Sequence, residues 1–180
     1  MQNSTVKTAA RLLEAIRDAA GIRVFVETGT ANGDVAYMAG DIFDTVITME
    51  SDTAAYEAAH ERLSGRKGIL PLTGDSRELL PQLLPRLVKP AVFWLAARPV
   101  DGRSPLAAEL AALAPEPMQH IVIVPETAGP VPAEIARALA APFPRDVAVH
   151  DGLVLAIPRT MAPLWDALFP DARPAFAAPA

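Results

Sequence analysis

The chain has no cysteine, and its 180 residues include only three histidines, two tryptophans and two tyrosines. Without thiols, neither a disulfide framework nor a thiolate-bound zinc is available, so stability must come from buried apolar surface. No run of about 18 apolar residues is present, which argues against a membrane-spanning helix. The N-terminus lacks the basic-then-apolar layout of a secretory signal, so a cytoplasmic protein is the expectation. Positive charge is also short: 16 lysines and arginines face 21 acids for a net charge of −5, and they are scattered. No basic face for nucleic acid is expected. Internal repeats and dividing linkers are absent too, so residues 1–180 read as one domain, large enough to bury a sizeable core. The abundant alanine and the 18 prolines resemble the bias of a GC-rich genome, except in the tail 170–180, PDARPAFAAPA, which reads as a loosely ordered end.

What is present is a regular alternation. Residues 4–20 form an amphipathic pattern, with Val6, Ala9, Leu13, Ile16 and Ala20 near one face, and Gly21 stops it. Within the core, 22–160, strand-like runs recur at 22–27, 45–50, 68–72, 91–96 and 119–124. Helical patterns at 32–41, 53–64, 76–88, 104–114 and 131–141 follow them in turn. Such alternation predicts right-handed crossovers and a parallel sheet covered on both faces. The chain then changes habit: DVAVH (146–150) and LVLAIP (153–158) are joined by Asp151-Gly152, a signal for a two-residue hairpin. A parallel sheet that finishes in an antiparallel hairpin is the layout of a Rossmann-like methyltransferase fold dependent on S-adenosylmethionine (SAM), whereas dinucleotide dehydrogenases usually finish in a parallel strand.

The richest stretch is VFVETGTANG, residues 24–33. A buried-type strand runs into Glu27 and then into a turn, Thr28-Gly29-Thr30-Ala31-Asn32-Gly33, whose glycines permit positive φ and close backbone approach. The helix expected from Asn32 presents amide N–H groups above the turn. An acid two residues before the first glycine is a poor neighbour for phosphate and suits a cofactor with cationic and hydroxyl groups, such as SAM. Thr30 and Asn32 lie in the turn itself, where they suit the amino acid end of that cofactor. In open parallel sheets the ligand crevice lies at the carboxyl ends of the strands. Glu50, followed by Ser51 and Asp52, ends the second strand, where an acid accepts both hydroxyls of a ribose. Gly74-Asp75-Ser76 follows the third strand. Asp75 with Glu78 three residues on also reads as a helix-capping start, a role compatible with contact to an adenine amino group.

FVETGTANG, ITMES, TGDSRELLPQLL and AVFWLAAR resemble segments of small bacterial class I SAM-dependent methyltransferases, namely an ETGT turn, an acid after the second strand, a GDS turn and an FWLDAH-like fourth strand. The resemblance covers residues 20–125 and implies a seven-stranded sheet with a SAM site built from Glu27, Gly29, Glu50 and Asp75. The chain departs from the pattern after FWL, where Ala96-Ala97-Arg98 replaces Asp and His, and after the fifth strand, which ends in Val124-Pro125-Glu126 where many relatives show paired acids. With those oxygen ligands missing, no catalytic metal is expected.

The expected function is metal-independent methyl transfer to an oxygen or nitrogen of a small molecule, with Arg98, Asp101 or Glu126 orienting the acceptor and Glu126 the one plausible base. A catalytically impaired SAM-binding or partner-binding relative is the alternative. A nicotinamide-dependent oxidoreductase is disfavoured, because the turn is E-x-G-x-x-x-G and not G-x-G-x-x-G. The histidines are poor bases by position: His120 precedes the fifth strand at the far end of the sheet, His60 sits on a charged helix, and His150 ends an outer strand. Phe93, Trp94, Trp165 and Tyr37 read as packing residues. Few segments are free to build an acceptor site, so a small molecule approached through an open cleft, or a site completed by the second subunit of a homodimer, is expected.

Overall fold

The computed structural model describes residues 2–99, 102–129 and 132–169. Each apolar run bounded by turn residues forms a strand: β1 Val24–Thr28, β2 Thr45–Glu50, β3 Ile69–Thr73, β4 Ala91–Leu95, β5 Ile121–Pro125, β6 Arg145–His150 and β7 Leu153–Pro158. The helices are α1 Gln2–Ala20, α2 Asp34–Ala39, α3 Thr53–Leu63, α4 Ser76–Leu83, α5 Leu106–Leu113, α6 Pro132–Ala138 and α7 Ala162–Leu168. One seven-stranded sheet has the order β3-β2-β1-β4-β5-β7-β6. Neighbouring strands from β3 through β5 pair in parallel, and β7 pairs antiparallel with both β5 and β6. The order reverses at β1, which lies between β2 and β4. Crossovers leave in opposite directions there, which opens a crevice at the strands' carboxyl ends.

Two cores cover the two faces. Phe25, Val46, Val92, Trp94 and Ile123 pack with Leu13 and Ile16 of α1 and Trp165 of α7. Val26, Ile47, Phe93, Leu95 and Val124 pack with Leu80 of α4, Leu110 of α5 and Ile135 of α6. Adjacent residues of β1 and β4 thus enter opposite cores, as the two-residue period of a strand requires. Tyr37 is an exception to the packing expectation. It is 39% exposed, and its ring is covered by the Arg66 guanidinium, 4.0 Å from the centroid.

Several helices are shorter than their periodicity suggests. α2 starts at Asp34 because Gly33, at φ 77°, is left-handed and cannot be part of the helix. α4 gives way to a 3-10 turn, Leu84–Arg86, where Pro85 supplies no amide donor. The β6–β7 connection places Asp151 at φ 49° and Gly152 at φ 77°, the pair of positive values a tight two-residue hairpin turn needs.

At the amino-terminal edge of the sheet, far from the crevice, Arg145 is fully buried. Its guanidinium donates to the carbonyls of His120, Phe143 and Leu113 at 3.1–3.3 Å. Burial pushes its pKa down to about 10, and burial with the Arg145 charge pushes His120 down to about 4. The neutral His120 ring accepts the Ala91 amide at Nδ1. His120 is therefore a structural residue. Among the described residues, no helix is long and apolar enough to cross a membrane.

Candidate functional site

A cavity of about 720 Å³ opens where the strand order reverses, a size typical of small-molecule sites. Its wall is drawn from four strand ends: Gly29, Ala31 and Asn32 after β1, Met49 to Asp52 at β2, Gly74 to Ser76 after β3, and Ala96 to Pro99 after β4. These segments are separated by roughly twenty residues each in sequence, and the parallel pairing brings them together.

Gly29 sets how closely the wall closes. It adopts φ 81°, and a Cβ there would lie 2.7 Å from both the Ala96 carbonyl oxygen and the Ala97 Cα. The Ala96 amide donates to Thr28 O at 3.0 Å and the Gly29 amide to Met49 O at 2.8 Å. The glycine turn and the β4 exit are thereby pressed backbone to backbone.

Glu50 stands on the lip of the cavity and is already oriented. Its Oε2 accepts the Ala31 amide at 2.9 Å and its Oε1 the Asp52 amide at 3.0 Å. Each carboxylate oxygen has a further lone pair, so the group can still accept two hydroxyl protons. Asp52 in turn caps α3 by accepting the Ala55 amide.

Glu27 is close by but does not line the cavity. It is 1% exposed, and its Oε2 accepts the Thr48 hydroxyl at 2.5 Å. With that proton committed, the 2.6 Å contact between Thr48 and Thr30 is a hydrogen bond donated by Thr30. A buried chain, Thr30 to Thr48 to Glu27, therefore props the turn from behind. Burial raises the Glu27 pKa to about 8, opposed by the Thr48 hydrogen bond and reinforced by the Glu50 charge. Thr28 and Thr30 are buried, and neither they nor Gly33 line the cavity. Among the turn residues expected at the site, Gly29 and Asn32 line the wall, while the others build it. The Asn32 amide is turned to Asp34 at 2.7 Å.

After β3, Asp75 caps α4 through the Arg77 amide and also receives the Arg77 guanidinium on both oxygens. Those bonds hold its pKa below the ordinary carboxylate value. Ser76 faces the wall and donates its hydroxyl to Glu109 at 2.6 Å. Glu109, on α5, is 1% exposed. Burial raises its pKa, against the Ser76 and Thr28 hydroxyls. Sequence reasoning missed Glu109 and Thr48. The one signal for Glu109 is a solitary acid inside the apolar helix LAAELAAL.

The acceptor-side candidates separate. Arg98 lines the cavity; Glu126 is exposed, does not line it, and lies beside the hairpin, its amide bonded to Gly152 O. Asp101 lies outside the described residues. His60 is exposed against Tyr56, and His150 is at the edge strand beside Asp151. Among the described residues, no group of three or more His, Asp or Glu is placed to hold a metal ion.

No protein-family model matches the sequence, and no curated protein matches it significantly. Solved structures do match. The O-methyltransferase of Bacillus cereus, in complex with S-adenosylhomocysteine (SAH), has a TM-score of 0.62 at 18% identity, covering 84% of this chain and 81% of that one. The fold is that of the class I SAM-dependent methyltransferases. An SAH-bound methyltransferase from Podospora anserina shares this methyltransferase fold at a TM-score of 0.59 and 13% identity, over 82% and 76% of the two chains. So does SAM-bound CalS10, an amino pentose methyltransferase from Micromonospora echinaspora, at 0.50 and 17%, over 67% of this chain; the match spans half the length of CalS10. rRNA methyltransferases are among the other matches, so the methyltransferase fold alone does not specify an acceptor.

Proposed function

We propose that this chain is a SAM-dependent methyltransferase that modifies an oxygen or nitrogen of a small molecule without a catalytic metal. The observation that carries the reading is Glu50, a carboxylate fixed by two backbone amides at the lip of a cavity on the sheet's switch point. It suits the two hydroxyls of a ribose. Ser51 extends the same wall, Asp75 and Ser76 face the adenine, and Gly74 lets the chain turn between them. Gly29 and Asn32 border the amino acid end, over a floor that Glu27, Thr28, Thr30 and Gly33 shape. When bound, SAM supplies an electrophilic methyl group whose C–S bond breaks with its electrons left on sulfur.

The acceptor's lone pair forms the new bond, and its proton leaves to water or to a base. Orientation supplies most of the acceleration in such a displacement, so a dedicated base is optional. Arg98 borders the space beside the β4 exit and orients the acceptor, whereas Glu126 stands off the cavity wall and is given no part in holding it. Ala96, where the resembling pattern has Asp, removes a hard-cation ligand, which supports the metal-free reading. The same alanine, with Ala97, favours a second reading in which the protein binds SAM without turnover. We further assign it to the cytoplasm, as a homodimer that does not bind nucleic acid.

Calorimetric titration with SAM and SAH tests the cofactor. Binding in the micromolar range, about −8 kcal/mol, is expected, with affinity at least tenfold lower in Glu50→Ala. An unchanged dissociation constant in that variant rejects the ribose role. Binding of a nicotinamide dinucleotide but of neither SAM nor SAH rejects the whole reading.

A further inference from the structure

The charged groups of the cavity wall are unequally occupied. Glu50 accepts two backbone amides, Asp52 caps α3, and Asp75 holds the Arg77 guanidinium. Each acid in the wall therefore already has a donor. Arg98 is the cation of the wall, and among the described residues it has neither a hydrogen-bond nor an ion-pair partner. It is exposed, but the backbone that leads to it is constrained. The Ala96 amide is tied to Thr28 O, and the backbone of Ala96 and Ala97 rests on Gly29 in a space that admits no Cβ, so the next residue emerges at the rim beside the turn. Pro99, with its restricted φ, stiffens the exit.

We infer that Arg98 is an anion subsite, and that the methyl acceptor carries a carboxylate or phosphate group that this guanidinium grips. The assignment rests on the methyltransferase reading above and adds the chemical class of the substrate. A planar guanidinium offers two parallel N–H donors to either anion, which gives orientation as well as attraction. Ala96 and Ala97 line the cavity beside Arg98 with small side chains, so the wall next to the guanidinium is not filled. An acceptor held by a remote charged group needs little else to align its nucleophile, which matches a wall with no histidine.

A carboxylate also belongs to SAM itself, so the test has two arms. In the first, the protein is incubated with methyl-labelled SAM and a small-molecule cell extract, and labelled products are separated by anion exchange. An anionic labelled product is expected, formed at least tenfold more slowly by Arg98→Ala and recovered only in part by Arg98→Lys, which restores the charge without the planar fork. A neutral or cationic product, or an unimpaired Arg98→Ala, overturns the inference. In the second arm, SAH and 5′-methylthioadenosine, which lacks the amino acid group, are titrated into both proteins. Equal affinities in wild type and Arg98→Ala are expected. A tenfold loss for SAH alone assigns the grip to the cofactor carboxylate and overturns the acceptor assignment. SAM binding with no labelled product of any charge would instead refute methyl transfer, a failure separate from that of Arg98.

Discussion

Glu27 makes the stability of this protein depend on pH in a direction opposite to that of most acids. Burial lifts its pKa from 4.5 in the unfolded chain to about 8 in the folded one. Between those values the folded chain keeps a proton that the unfolded chain has released, so stability falls as pH rises. The slope is about 1.4 kcal/mol per pH unit, and the loss, complete above pH 8, totals about 5 kcal/mol. Below pH 4.5 both states are protonated and the contribution is constant. Glu27→Gln keeps the size and an acceptor for the Thr48 hydroxyl but has no proton to lose. The difference between the two proteins therefore reports Glu27 together with its electrostatic coupling to Glu50. Urea unfolding at pH 5, 6 and 7 should show the variant gaining on wild type by about 3 kcal/mol across that range. Parallel stability curves would refute the reasoning, because they would mean that Glu27 ionises in the folded state as easily as in water.

Gly29→Ala should be among the most damaging single-methyl additions, since it combines φ 81° with a backbone contact at 2.7 Å that no rotamer can relieve. A loss of about 1–3 kcal/mol from the backbone conformation alone, read by thermal unfolding, should be accompanied by loss of SAM binding. Ser76→Ala removes the Ser76 hydroxyl, one of two that act on Glu109, and should cost about 1–3 kcal/mol. The double variant Ser76→Ala, Glu109→Leu should recover part of that loss in urea unfolding, and a strictly additive further loss would show that Glu109 is not left wanting a donor.

The strands and the glycine turn were legible because they follow from local pattern: apolar runs with the right length, glycines where φ must be positive, and a hairpin dipeptide that permits one turn type. The site was legible to the extent that strand ends converge by rule, which put Glu50, Asp75 and Arg98 on one cavity. Burial of Glu27 was not. It depends on β1 pairing with β2 in the register that sets Glu27 opposite Thr48, a non-local fact. Glu109 was hidden for a similar reason, since its partner is 33 residues away and meets it only when α5 packs beside the start of α4. Helix ends were misjudged where Pro85 and Gly33 overrode an apolar period that continued past them.

Arg145 carries one more consequence. It reaches from the closing hairpin to carbonyls at the end of α5 and the start of β5, segments made far earlier in the chain. A fragment stopping short of it would leave those oxygens buried without donors, or hydrated only by opening the core, and would bare the edge of β5. The seam between the parallel and antiparallel parts is thus not a place where the domain can be cut. The two parts should melt together in a single transition, and a pair of fragments split between α5 and the hairpin should remain unfolded until mixed.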